Sequence, residues 1–388
     1  MKILILELKS VCYNSYIYFA ESLAKEFLKN GHEVEFFRVP EEPFENLEKY
    51  KGLSFDAIID FNSDIPRAIL DDDSYFLNSI DAPFVDIILD HPLYHHDSLK
   101  HKINNFNVIC LDYKHKEYIT KYYPHIKNIF VTSMTGELAF GEDMIDWDKW
   151  EQRPYDITFS GSYTNPAIIK ESISKLPDEL QECINLAIDI LLKNTSETIE
   201  NAVDIIAQIE DYDFIKTNPA IFTQILYLAD AYVRCINRHN LVLSLDNCEK
   251  EIHLFGPLWE EMNLKHAIIH RELPFNLSFT IFNKSKICVN LQPNFKAGAH
   301  DRIFSAQLNG AVAFTDPSSM ILEEYKDTKN ILLFSLDDFS SIPAKLDTAL
   351  SDTEKLKKIA QAGNEIASKH HTWTNIYNVV ISTIKNVN

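Results

Sequence analysis

Short apolar runs alternate with amphipathic stretches through the first part of the chain. Residues 2–8 (KILILEL) read as a buried strand, and 14–30 as a helix closing at Asn30-Gly31, a pair suited to ending one. Further strands are predicted at 32–38, 55–61, 83–89 and 106–111, with helical patterns filling the gaps. Unbroken apolar strands between helices fit a parallel sheet covered on both faces. The pattern breaks over 136–154, which reads as an interdomain connection, and a strand at 155–160 then ends in Gly161-Ser162. From 165 to about 248 no strand-like run occurs. Apolar positions at three- and four-residue spacing there predict helices, among them 179–193 and 218–236.

Alternation then resumes. Strands are predicted at 251–255, 266–269, 286–291, 311–315 and 330–334, and helices at 274–284, 301–309 and 336–350, with two more in 353–386. The expected fold is α/β, with two Rossmann-like, doubly wound parallel-sheet domains facing a cleft. The first spans 1–150. The second spans 151–370 and carries an all-helical insertion at about 165–248, and 371–388 forms a C-terminal helix. Ligands of such folds sit beyond the carboxyl ends of the strands.

Charge narrows the function classes. With 57 acidic against 37 basic residues the chain has a formal net charge of −20, so a nucleic-acid partner is not expected. A diphosphate is still compatible with that field, because a few N–H groups and one or two cations can hold it locally. The six cysteines, Cys12, Cys110, Cys183, Cys235, Cys248 and Cys288, lack metal-ligand spacing and read as reduced thiols. No metal site is expected. No apolar run is long enough to span a membrane, and the expected location is cytoplasmic. A dinucleotide fingerprint and a nucleophile elbow are both missing from the sequence, which argues against a dehydrogenase and a serine hydrolase.

The most informative segment is 286–316, KICVNLQPNFKAGAHDRIFSAQLNGAVAFTD. A buried strand ends at Asn290, a loop carries Pro293, Asn294, Lys296 and Gly298, and a helix opens near His300-Asp301. Gly298 would let backbone approach a ligand, and the helix's first-turn N–H groups and dipole favour a phosphate there. Arg302 can add a charge-assisted contact, and His300 can reach the group attached to the phosphate. The plainer reading is an ordinary strand–loop–helix with Asp301 as a cap paired to Arg302.

These residues resemble a family. GAHDRIFSAQLNGAVAFTD is similar to the C-terminal pattern of the CgeB/YkvP-type (spore-protein-like) glycosyltransferases, approximately G-x-H-x-R-x-F-E-x-x-x-x-G-A-x-x-x-T-D. HLFGPLW at 253–259, FNKSKICVNLQPNF at 282–295, HHTWTNI at 370–376 and DITFSGSY at 156–163 also fit, and DHPLYH at 90–95 looks like part of some members' N-terminal domain. The resemblance implies a GT-B fold, a nucleotide-sugar donor bound mainly by the C-terminal domain, and no obligatory metal or other cofactor. It places His300 and Arg302 at the donor's phosphates and sugar. One position departs: Ser305 stands where many relatives carry a Glu that hydrogen-bonds the ribose.

Other candidates are weaker. Asp90 or His91, at the end of a predicted strand, is a candidate general base for an acceptor hydroxyl, and the alternative is a plain polar loop. Gly161 and Ser162 are candidate donor contacts or a tight turn. The loop through Pro274 could frame the nucleobase or merely punctuate the chain, and Asn14 could meet the acceptor. The expected activity is metal-independent sugar transfer from a nucleotide-sugar to an unidentified glycan, protein or small-molecule acceptor. The alternatives are a catalytically degenerate nucleotide-sugar-binding or scaffold protein and a nucleotide-sugar epimerase or hydrolase.

Overall fold

The computed structural model describes residues 1–8, 15–39, 41, 43–139, 145–209, 212, 218–292 and 294–387; Cys12, Asn14 and Pro293 lie outside these. The chain divides into two compact units, Met1–Thr135 with His370–Asn388, and Gly136–Lys369.

The first unit is built on strands β1 (Lys2–Glu7), β2 (Glu33–Arg38), β3 (Ala57–Phe61), β4 (Phe84–Ile88), β5 (Phe106–Cys110) and β6 (Asn128–Val131). They form one sheet in the order β2-β1-β3-β4-β5-β6, every pair parallel. β3, β4 and β5 are buried at every position, each carrying one buried polar residue (Asp60, Asp86 and Asn107) among apolar ones, as strands covered on both faces do. The order reverses between β1 and β3, and helices α1 (Ser15–Lys29), α2 (His96–Leu99) and α3 (Tyr113–Tyr122) lie among the connections. β6 was not anticipated: four residues long and partly exposed, it gives little periodic signal.

The terminal helix, Trp373–Val387, belongs to this unit. Its Trp373 ring lies 5.9 Å from Phe19 of α1, and Tyr377 meets Phe27 edge-on at 5.2 Å. Tyr377 Oη is 2.9 Å from His32 Nε2, so the ring buries its body and satisfies its hydroxyl together.

The second unit carries β7 (Tyr155–Ser160), helices α4 (Pro166–Ser174), α5 (Asp178–Lys193), α6 (Ile199–Ile206) and α7 (Pro219–Leu245), then β8 (Ile252–Phe255) and β9 (Ile268–His270). Helix α8 (Phe275–Lys284), β10 (Ser285–Val289), helix α9 (Asp301–Leu308), β11 (Val312–Thr315), helix α10 (Ser319–Glu324) and β12 (Leu332–Leu333) follow, with α11 (Ile342–Ser351) and α12 (Thr353–His370) closing the unit. All strand pairs are parallel, in the order β12-β11-β10-β7-β8-β9. Taken in chain order this is the doubly wound 3-2-1-4-5-6 arrangement, with its reversal between β7 and β10. Helices α4–α7 are the anticipated insertion. α5 buries Cys183, Ile184, Ala187, Ile188 and Leu191, a single face at helical spacing, each large apolar side chain contributing about 1.5–3 kcal/mol.

The expected boundary after residue 150 falls inside this second unit. Trp150 is fully buried in its core with Ile157, Phe159, Trp259 and Phe314, and its indole donates to the Gly310 carbonyl at 2.6 Å. Arg153 donates to the carbonyls of Ser285 (2.7 Å) and Asn309 (2.8 Å), satisfying acceptors where α8 and α9 end. Gly136, where the unit begins, lies directly against α9: a Cβ there would come 2.4 Å from the backbone carbon of Phe304. Among the described residues no helix is long and apolar enough to cross a membrane.

Candidate functional site

In the second unit the reversal between β7 and β10 brings two loops together. Gly161 and Ser162 follow β7; the segment from Asn290 to His300 follows β10 and leads into α9. Gly161 donates to the Phe255 carbonyl at 2.9 Å and accepts from the Trp259 indole at 2.8 Å. It is backed by Gly256, whose φ of 136° and missing side chain are both required, since a Cβ there would lie 2.1 Å from the Gly161 carbonyl oxygen. A side chain at Gly161 itself would come 3.9 Å from Arg302 Nη1, so the short loop leaves room beside that guanidinium.

His300 is the N-cap of α9. Its Nδ1 accepts from the Arg302 N–H at 3.2 Å and lies 2.5 Å from Asp301 Oδ1. One nitrogen cannot accept from the amide and donate to the carboxylate together, so the tautomer of the imidazole decides which of the two contacts forms. Burial works to raise the Asp301 carboxyl, but His300 and Arg302 hold it below its ordinary value. The Asp301 side chain is thus tied to His300 rather than to a bound anion.

Arg302 is half-buried, and among the described residues no carboxylate pairs with its guanidinium. A second unpaired guanidinium joins it. Arg238, from α7 of the insertion, donates from Nη1 to the Ser162 carbonyl at 2.6 Å, and its shielded Nε has no partner among the described residues. Burial, with Arg302 and Arg234 nearby, pulls Arg238 down to about 10, which leaves it charged at neutral pH. Two like charges are thus held near each other in a chain of net charge −20, an arrangement whose repulsion a bound anion would relieve.

The remaining donor candidates fall into place differently. Lys296 is committed elsewhere: its ammonium donates to the Thr195 carbonyl at 2.6 Å. The Gly298 carbonyl accepts from Ser318 Oγ at 2.5 Å, which makes this glycine part of the loop's anchoring. Asn294 is half-buried in a turn of the same loop. Pro274 is exposed at the head of α8, and no contact among the described residues ties it to Arg302. Ser305 is fully buried, and its Oγ accepts from the Glu137 N–H at 3.1 Å. The backbone of 136–139 presses on α9 there, with Ala139 N–H donating to Asn309 Oδ1 at 2.8 Å, so position 305 faces the interior of the unit and a Glu would not fit.

Gln292 and Asp316 were not singled out from the sequence, yet they fix the loop. Gln292 donates from its backbone to Asp316 Oδ1 at 2.8 Å and from its amide to the Asp316 carbonyl at 2.7 Å, and its Oε1 accepts from the His300 N–H at 3.3 Å. Burial pushes the Asp316 carboxyl up to about 6 despite Gln292 and Lys296. The Thr315-Asp316 pair at the end of the motif was the available signal. Arg238 left none, since a cation on an amphipathic helix normally faces solvent.

In the first unit the two base candidates separate. His91 is 4% exposed; its Nδ1 accepts from the Leu93 N–H at 3.1 Å, and its ring packs against His115 and Tyr118 at 4.7 and 5.0 Å. It is built into the turn that Pro92 initiates, which argues against the role of base. Asp90 is exposed, its Oδ2 accepting from Asn62 Nδ2 at 2.9 Å. Asn62 adopts φ 47°, a conformation asparagine tolerates, and also binds Tyr16 Oη (2.6 Å) and the Leu89 N–H (2.8 Å). Among the described residues no group of three or more His, Cys, Asp or Glu is arranged to hold a metal ion.

Comparison with known proteins sets these features in context. Residues 230–381, from α7 through the terminal helix, match the glycosyl transferase-like family. No curated protein matches the sequence. Solved structures match over the whole chain. The sucrose-phosphate synthase of Thermosynechococcus elongatus superimposes with a TM-score of 0.58 at 10% identity, covering 100% of this chain and 99% of that one. HepE of Anabaena, solved with UDP and glucose, gives 0.57 at 12% identity with full coverage of both. AviGT4, a glycosyltransferase of avilamycin A biosynthesis, gives 0.52 at 9%, covering 100% and 98%. At these identities the likeness establishes the fold: the chain has the GT-B fold of two Rossmann-like units, and its segment 230–381, which carries both Arg238 and Arg302, is similar to the glycosyl transferase-like family.

Proposed function

We propose that the enzyme transfers a sugar from a nucleoside-diphosphate sugar to a hydroxyl acceptor, and that it does so without a metal. The observation that carries this reading is the pair of guanidiniums, Arg302 and Arg238, near each other and without carboxylate partners among the described residues at the reversal of the second sheet. A diphosphate placed there meets two cations and the first-turn N–H groups of α9, the positive end of that helix. As the bond from sugar to diphosphate breaks, negative charge grows on the leaving phosphate, and fixed guanidiniums stabilise it where a divalent cation otherwise would. HepE, solved with UDP-glucose as well as with UDP, supports a nucleotide-sugar donor for this framework. The pattern through His300 and Arg302 supports the narrower CgeB/YkvP-type assignment.

The test is thermal stability and calorimetric binding with UDP-, GDP-, dTDP- and CMP-sugars, with and without EDTA. One donor is expected to stabilise the protein by several degrees, unaffected by EDTA and lost in Arg302→Ala. Stabilisation that EDTA removes would overturn metal independence; no stabilisation by any donor would overturn the donor site.

A further inference from the structure

The helical insertion meets the second sheet at the carboxyl ends of three strands. After β7, Arg238 of α7 donates to the Ser162 carbonyl at 2.6 Å, and His239 Nδ1 lies 3.0 Å from Tyr163 Oη. After β10, the Lys296 ammonium donates at 2.6 Å to the carbonyl of Thr195, in the turn between α5 and α6. After β12, Asp337 accepts from Thr195 Oγ1 at 3.3 Å. One turn of the insertion thus holds two of these loops, and its last helix holds the third.

The turn is a firm anchor. Thr195 directly follows Asn194, the C-cap of α5, so Lys296 places its charge at the negative end of that helix, where carbonyls lack intrahelical donors. α5 packs against α6 and α7. α7 in turn enters the core of the unit through Leu241, Val242 and Leu245, together with Phe159 and Val289 of the strands. A loop fastened to this turn is therefore fastened to the sheet. On its inner side the loop leading into α9 is fixed by Gln292, which accepts from the His300 N–H, and by Ser318, which donates to the Gly298 carbonyl. Lys296 supplies the outer fastening.

We propose that the insertion is part of the donor site and that Lys296 is a positioning residue there: it stays on the Thr195 carbonyl when donor binds and sets the loop from Asn294 to His300 without touching the donor. The ligand being a nucleotide donor rests on the reading above. A lysine that instead swung onto the phosphates would release Thr195, so the two arrangements differ in what the insertion feels.

The experiment is hydrogen exchange followed by mass spectrometry on the full chain, free and with UDP, GDP or dTDP at millimolar concentration. Both segments carry bonded amides: Asn194 and Glu197 donate to the Ile190 and Asn194 carbonyls, and Phe295 to the Gln292 carbonyl. A nucleotide that binds is expected to slow exchange in 294–300 and in 194–198 together, by about threefold or more. Exchange at 194–198 that quickens, or stays unchanged while 294–300 slows, would overturn the proposal. In the free protein Lys296→Met is expected to raise exchange about fivefold in both segments, and Lys296→Arg, which still donates to the carbonyl, to restore it. Exchange at 194–198 indifferent to Lys296→Met would also overturn it. The wild-type response needs no variant, so it decides even if Lys296→Met does not fold. If no nucleotide slows 294–300, the donor reading fails, and the free-protein comparison still decides whether Lys296 fastens the loop to the insertion.

Discussion

The two units place opposite charge at the same topological feature. Where the strand order of the second sheet reverses, two guanidiniums have no carboxylate partner among the described residues. Where that of the first reverses, the buried Glu7 carboxylate pairs with Arg38, which is divided among three glutamates. The difference teaches that the crevice is supplied by topology, whereas the ligand class is set by the few residues that end the strands. In a chain with 20 more acidic than basic residues, the cationic reversal is the exception and the acidic one follows the background.

The largest predicted effect comes from putting a carboxylate into the cationic unit. Ser305→Glu inserts a charge at a fully buried position beside the Glu137 backbone and is expected to cost about 3–5 kcal/mol, or folding altogether. Urea denaturation reads this, and a variant as stable as wild type would show that position 305 is open to a donor after all. Next comes Arg302→Ala, which removes a charge-assisted contact and is expected to weaken donor binding about 10- to 100-fold by calorimetry. Arg238→Ala is expected to cost about tenfold in the same assay, with Arg238→Lys recovering part. If Arg238→Ala binds donor normally, the cationic reversal rests on Arg302 alone and the insertion plays no part in it.

A smaller effect probes the acidic unit. Glu7 has its ordinary value of 4.5 raised to about 7, chiefly by burial. The folded state therefore holds this proton more tightly than the unfolded one, so its contribution is most favourable in acid and declines as pH rises from about 4.5 to 7. Glu7→Gln removes the titration while Arg38 keeps Glu21 and Glu41. Its stability relative to wild type is expected to rise by about 1–3 kcal/mol between pH 4.5 and 8. A difference that stays flat across that range would mean Glu7 is ionised throughout, and the two reversals would then differ in sign of charge but not in poise.

Much of the fold was legible because strands buried on both faces are largely apolar, as β1 and β3 are, and because α9 ends at Asn309-Gly310. What escaped depends on contacts distant in sequence. β6 is a four-residue edge strand without a pattern of its own. The division at 135/136 leaves no compositional mark, and Gly136 meets the backbone of Phe304 only once the chain folds. Ser305 looked like a weakened ribose contact until the chain 168 residues earlier was seen bonded to it. His91 stands at the right strand end for a base, but Pro92 starts a turn that folds it inward, leaving Asp90 exposed.

That last contrast yields the smallest prediction. Asp90 is exposed, and Asn62 holds one of its oxygens through an amide also engaged by Tyr16. Replacing it with Asn keeps the shape and removes the charge, and an exposed carboxylate in high dielectric contributes little to stability, so Asp90→Asn is expected to leave Tm within a degree or so. If Asp90 takes the acceptor's proton, kcat falls about 100-fold while donor binding is untouched. If Asp90 only adds to the field at the end of its strand, Asp90→Asn lowers kcat/KM no more than a few-fold and leaves the pH profile of kcat unchanged. The geometry favours the second outcome: the Asp90 carboxylate is solvated and already bonded to Asn62.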